Sequence, residues 1–195
     1  MSKVLKTGAE ARLTLEGDTV VKERIKKGYR LEQIDLPLRK TRTRRESRLM
    51  DKARRAKVKV PKVYSTEGYK IKMEFIDGER IDKVLTKPLA KKVGEAVAKL
   101  HSDDIIHGDL TTSNILVEDN ELYFIDFGLG EISNSYEKKG VDLKVLEDAI
   151  TATQGKKAPA FIEEILKAYK KNATNSELVL SRLEKIEKRG RYKER

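Results

Sequence analysis

The sequence predicts an α+β chain of two lobes: a small β-rich N-terminal lobe carrying one long helix, and a mainly helical C-terminal lobe. Three observations predict it. Residues 58–64 and 69–75 alternate apolar and polar side chains, the period of half-buried strands. Beyond Asp77 and Gly78 the pattern changes, and Leu89, Val93, Val97 and Leu100 recur at helical spacing. Short apolar runs at 115–117 and 122–125 flank a polar turn, as in a hairpin. At 195 residues the chain is long enough to bury a core in each part.

The elements follow in order. Residues 4–15 and 19–24 carry β-formers, with Glu16, Gly17 and Asp18 as the turn between them. Val20, Lys22 and Arg24 share one strand face, because strand side chains alternate. Asp35 with Pro37 reads as a helix start, and good helix formers continue to about Ala56. Helices are expected near 141–153, 158–171 and 176–188, with Phe161, Ile165, Tyr169, Val179, Leu183 and Ile186 as core positions. From Arg189 onward the chain is expected to be loosely ordered. The expected division is an N-terminal lobe over 1–76, a C-terminal lobe over 77–188 and a basic tail over 189–195.

Composition narrows the chemistry. Cysteine is absent, which excludes disulfides and thiolate catalysis. No run approaches the roughly 20 apolar residues of a membrane span, and no signal peptide is visible. A soluble, cytoplasmic protein is expected. The net charge is +11, and it is clustered: residues 39–55 carry nine Lys and Arg against Glu46 and Asp51, and 182–195 form a second basic block. Such stripes suit a nucleic-acid backbone, bound in a salt-dependent way. The plainer alternative is a solvated lysine-rich surface.

The chemistry is concentrated in His107, Gly108, Asp109, Asn114 and the run Asp126, Phe127, Gly128. Phosphoryl transfer from ATP needs a carboxylate to orient the nucleophile and oxygen ligands to hold Mg²⁺. The order and spacing assign Asp109 as that carboxylate, with Asn114 and Asp126 as the Mg²⁺ ligands. The 115–125 hairpin would carry these two ligands at its outer ends. The cation for the nonreacting phosphates is Lys22 on its strand, held by Glu46 on the following helix. Gly8, Ala9, Glu10 and Ala11 form the loop expected over the phosphates, with one glycine where G-x-G-x-x-G would have three. Adenine is expected against the strand end at Glu74 and Ile76. Only about a dozen residues separate Gly128 from the helix bearing Asp142. His107 is expected to support the loop by hydrogen bonding, since His101 is the only other histidine and no cysteine could complete a zinc set. Asp142 is either a helix cap or a brace for that loop.

These motifs also carry a family resemblance. Residues 8–11, 21–24, 27–30, Leu38 with Arg39, and the arginine-rich 42–49 occur in the right succession ahead of the 107–114 and 126–128 motifs. Together they resemble the small atypical kinase/ATPase subunit of the KEOPS complex, across nearly the whole chain. Ser47, where alanine is expected, is a minor departure. The resemblance implies a minimal two-lobed protein-kinase-like fold without an extended activation segment, with which the short spacing after Gly128 agrees. It also implies Mg²⁺-dependent ATP hydrolysis in support of threonylcarbamoyladenosine formation on tRNA, with Ser/Thr autophosphorylation when the subunit is alone. It implies two partners, a threonylcarbamoyltransferase subunit and a small activator subunit, with tRNA met by the basic helix and tail. The same residues carry over as the phosphate-holding pair, the catalytic carboxylate and the metal ligands. Thr111, where typical Ser/Thr kinases have lysine, and the short segment after Gly128 fit water or the chain itself as acceptor. A RIO-type kinase, a small-molecule phosphotransferase and a non-catalytic tRNA-binding scaffold are the alternatives.

Overall fold

A computed structural model describes residues 2–193. The first stretch of β-formers divides into β1 (Ser2–Thr7) and β2 (Ala11–Glu16), because the Gly8 N–H turns back to the Ala11 carbonyl at 2.9 Å. With β3 (Thr19–Arg24), β4 (Val63–Glu67) and β5 (Lys70–Glu74) they form one antiparallel sheet, ordered β1-β2-β3-β5-β4. β3 is central, and Lys22 lies opposite Leu13 on one side and Ile71 on the other. A strand laddered on both sides holds its side chains rigidly.

Helix α1 (Glu32–Arg55) begins earlier than Asp35, so Asp35 is not its cap. The Asp35 carboxylate is buried and closes the preceding loop, accepting from Arg39 at 2.6 Å and from the Lys27 N–H at 3.3 Å. The strand expected at 58–64 also moves. Val58 and Val60 are buried, but the link is tied at Lys59, whose carbonyl accepts the Phe124 N–H. Pro61 has no N–H to offer a ladder, and β4 starts only at Val63.

After β5, the short β6 (Glu79–Arg80) joins a second sheet with β8 (Ile115–Glu118) and β9 (Glu121–Phe124). Asp119 and Asn120 both take positive φ in the β8–β9 turn, the requirement of a tight two-residue hairpin. A short helix, α2 (Ile81–Val84), follows β6, and α3 (Lys87–Ser102) buries Leu89, Val93, Val97 and Leu100. Opposite α3 lies α5 (Ala158–Asn172), burying Phe161, Ile165 and Tyr169. Gly94 permits their close crossing, since a Cβ there would stand 2.3 Å from the Ile165 carbonyl oxygen.

β7 (Ile105–Ile106) pairs with β10 (Glu131–Ile132). Helix α4 (Tyr136–Gln154) starts before the expected 141, with Ser135 as its side-chain cap. Only residues 129–135 separate Gly128 from α4. α6 (Ser176–Lys193) packs on α4, and Val179 and Leu183 are buried. The expected loose tail from 189 is instead helical as far as Lys193, Gly190 included; Glu194 and Arg195 lie outside the described residues. No helix among the described residues is long and apolar enough to cross a membrane.

Candidate active site

The loop after β7 carries the expected catalytic carboxylate. Gly108 has φ +80°, and a Cβ there would lie 2.4 Å from the Leu129 carbonyl oxygen, so only glycine fits. His107 is fully buried and tilted against Phe127, with ring centroids 4.5 Å apart. Its Nδ1 accepts the Asp109 N–H at 3.3 Å, so Nε2 carries the proton and donates to the Ile125 carbonyl at 3.1 Å. Burial holds the His107 pKa below the ordinary histidine value, consistent with a neutral ring. Asn114 closes the loop from the far side, donating its amide to both the carbonyl and the carboxylate of Asp109, each at 2.9 Å.

The brace under this loop is Asp142. Lying inside α4, it accepts the His107 N–H at 2.6 Å and the Gly108 N–H at 2.9 Å. Of the two roles open to it in the sequence, the cap belongs to Ser135 and the brace to Asp142. His101 stands behind it, with Nε2 3.4 Å from the Asp142 carboxylate and Nδ1 2.9 Å from the Tyr169 hydroxyl.

From the sheet, Lys22 places its ammonium 2.5 Å from Glu46 and 2.7 Å from Asp126. Burial opposes the lysine charge, but the Glu46 and Asp126 carboxylates outweigh it and hold the pKa above the usual lysine value. Burial likewise acts to raise Asp126, and Lys22 outweighs it, holding this carboxyl below its usual range. Asp126 has φ +62°, uncommon for a side chain other than glycine, and its carboxylate accepts the Gly128 N–H at 3.2 Å.

A cavity of about 300 Å³ lies between loop 8–11 and these groups. Of the sequence-predicted residues, Gly8, Ala9, Glu10, Ala11, Lys22, Asp109 and Asp126 line it. Glu46 stands behind Lys22, and Asn114 behind Asp109. Glu74 and Ile76 do not line it: the Glu74 carboxylate accepts the Lys62 N–H at 3.0 Å, and Ile76 is buried. The glycine-poor loop is pinned by charge, since Lys27 donates to the Ala9 carbonyl at 2.5 Å and Glu10 pairs with Lys27 at 3.2 Å and Arg42 at 3.3 Å.

Arg24 and Arg42 also line the cavity, and the sequence reading assigned them no role there. Both had a signal. Arg24 shares the strand face of Lys22, and Arg42 precedes Glu46 by four residues, one helical turn.

The donors suit Mg²⁺. Asp126 is kept ionised by Lys22, and Asn114, its amide nitrogen spent on Asp109, has its side-chain oxygen to offer. No group of three or more His, Cys, Asp or Glu side chains among the described residues could form a metal cage. One carboxylate and one amide oxygen, completed by phosphates and water, is the usual Mg²⁺ arrangement at nucleotides.

Residues 12–129 match the RIO domain family. The chain is 46% identical to a probable bifunctional tRNA threonylcarbamoyladenosine biosynthesis protein of Methanosarcina mazei, over 97% of this chain and 36% of that protein. It thus spans about a third of the length of that relative. Against the KEOPS complex subunit Bud32 of Pyrococcus abyssi, identity is 40% over 99% of this chain and 97% of that one. The solved Rio2 kinase–ADP/Mg²⁺–phosphoaspartate complex from Chaetomium thermophilum superposes with a TM-score of 0.62, at 15% identity, over 97% of this chain and 70% of that one. That likeness establishes the two-lobed kinase fold. The RIO-type alternative and the KEOPS resemblance are therefore nested rather than opposed. A domain match across most of the chain, joined to end-to-end similarity with a Bud32 subunit, makes this a RIO-domain chain of the Bud32 family of KEOPS subunits.

Proposed function

We propose that this chain binds Mg²⁺–ATP and hydrolyses it as the atypical kinase/ATPase subunit of a KEOPS complex, in support of threonylcarbamoyladenosine formation on tRNA. The single observation that carries the reading is the convergence of Lys22, Asp126 and Asp109 on one cavity, with Glu46 and Asn114 each fixing one of them. The partners proposed are a threonylcarbamoyltransferase subunit, a small activator subunit and tRNA, in the cytoplasm.

In this reading Lys22, set by Glu46, neutralises the nonreacting phosphates. The half-buried Asp109 carboxylate, fixed by Asn114, orients a water and accepts its proton. The water oxygen bonds to the terminal phosphorus as the bridging bond to ADP breaks, giving ADP and phosphate. Asn114 and Asp126 would hold Mg²⁺, which would supply neutralisation of phosphate charge. When the subunit is alone, a Ser or Thr hydroxyl of the chain replaces water, which gives autophosphorylation. The seven residues between Gly128 and α4 offer little platform for a docked peptide, and this favours water or the chain itself as acceptor.

The test is ATP turnover by wild type and Asp109→Ala, with and without tRNA and the partner transferase. Asp109→Ala should lose at least about 100-fold in turnover while still binding ATP. Equal rates would remove the catalytic assignment and favour a nucleotide-stabilised scaffold.

A further inference from the structure

We propose that Arg24 is a second phosphate-binding cation of this site, directed at the terminal phosphoryl group of bound ATP; the inference rests on the ATP reading above. Arg24 is 5% exposed and leaves β3 on the same face as Lys22. Its Nη2 donates to the Glu46 carboxylate at 2.5 Å, opposite the oxygen that Lys22 takes. Its Nε is the one buried side-chain nitrogen or oxygen without a hydrogen-bond partner among the described residues. Buried donors are almost always satisfied, and this orphan belongs to an arginine whose side chain also borders the cavity, which leaves unused donor capacity at the edge of the site.

Charge points the same way. Glu46 neutralises one cation, yet two share it. Once Asp126 turns to a metal, Lys22 and Arg24 together retain one positive charge beside the cavity. A guanidinium, planar and multiply donating, matches phosphate oxygens better than an ammonium does.

Position selects the terminal phosphate. At Gly128 a Cβ would stand 3.2 Å from Arg24 Nη2 and 2.9 Å from the Asp126 carboxylate, so nothing but glycine separates the guanidinium from the metal-ligand end of the cavity. Asp109, the proposed water-orienting group, lines the same cavity. The strand end that carries Arg24 is fixed. Its N–H donates to the Tyr69 carbonyl at 3.0 Å, and its carbonyl accepts from Arg39, which lies over the Tyr69 ring. A cation preset where charge builds up in the transition state acts mainly on rate. In phosphoryl transfer, an arginine in this role contributes about 10³–10⁵-fold.

The experiment compares wild type, Arg24→Gln and Arg24→Lys for ATP and ADP affinity, by displacement of a fluorescent nucleotide with Mg²⁺ present, and for ATP turnover. Thermal unfolding confirms that each variant is folded. Arg24→Gln should lower the ratio of ATP to ADP affinity about tenfold and turnover at least about 100-fold, with ADP affinity unchanged. Arg24→Lys keeps the charge and should recover the affinity ratio but not the rate; it carries the test if Arg24→Gln does not fold. Equal loss of ATP and ADP affinity would make Arg24 a support for Glu46 and overturn the proposal, as would unchanged turnover. Failure of wild type to bind either nucleotide would remove the ATP reading itself, and this inference with it.

Discussion

The Asp142 carboxylate accepts the Gly108 N–H at 2.9 Å, across 34 residues of sequence, and so ties α4 to the backbone beside Asp109. Its other oxygen holds the His107 N–H, and His101 and Tyr169 continue the chain of polar contacts into the helical core. The loop that carries Asp109 is thus tied to α4 and, through His101 and Tyr169, to α3 and α5.

Asp142→Asn should therefore impair both stability and rate. An amide nitrogen placed against one of these N–H groups leaves a buried donor unpaired, at a cost of about 1–3 kcal/mol. Thermal unfolding should fall by roughly 3–10 °C. Turnover below the transition should fall about 10–100-fold, with KM for ATP within about threefold of wild type, since Asp109 is displaced and Lys22 is not. An unchanged rate would limit Asp142 to a structural part.

Gly94→Ala should separate fold from site. The added Cβ meets the Ile165 carbonyl oxygen at 2.3 Å and the Ala168 side chain at 2.9 Å, so α3 and α5 must move apart. Overpacking of this kind costs about 1–3 kcal/mol, readable as a lower urea midpoint. ATP affinity of the folded fraction should be unchanged, because no cavity residue lies on either helix.

A pH effect is expected at the contact of α4 and α6. Burial, with the Glu187 carboxylate beside it and only Lys144 in opposition, pushes Glu147 up to about 7. The folded chain thus keeps a proton that the unfolded chain releases near its ordinary value of 4.5. The folded state suffers no ionisation cost below that value, and stability falls as pH rises through about 7. Glu147→Gln removes the penalty. It should raise the melting temperature by about 3–6 °C at pH 8 and leave it unchanged at pH 4.5. An equal shift at both pH values would contradict this.

The basic helix presents a separate test. Arg44, Arg45 and Arg48 line one groove with Thr41, Leu49 and Ile132, and none has a carboxylate partner among the described residues. Arg42 instead lines the cavity with Lys22 and Asp126, so it is left out of this test. Arg45→Glu with Arg48→Glu should weaken tRNA binding by about tenfold or more at 50 mM salt and far less at 300 mM. A loss independent of salt would point to misfolding instead.

Much of this was legible in the chain. Helical spacing located Leu89 to Leu100, and the spacing from Asp109 to Asn114 and Asp126 anticipated a loop and hairpin end that lie close together. What escaped were features set by distant partners. Asp35 looks like a cap and serves as a buried acceptor, because Arg39, one turn on in the same helix, and the Lys27 N–H of the preceding loop both reach it. Pro61 shifts β4 although Val58 and Val60 keep their core places. Asp142 stands between cap and brace in the sequence, and only the fold decides for the brace, since the N–H groups it accepts come from 34 and 35 residues away.

The pairing of Lys22 with Asp126 has a kinetic corollary. An ammonium ion already occupies the carboxylate that a dication would seek, and a single bare carboxylate competes poorly for Mg²⁺ against water. A triphosphate arriving with its metal would change the exchange, because its phosphate oxygens would compete for the ammonium and free the carboxylate in the same event. On the proposed ATP reading, loading would be interlocked: neither magnesium alone nor a nucleotide stripped of it would open the latch fully, and the preformed chelate would enter as one visitor.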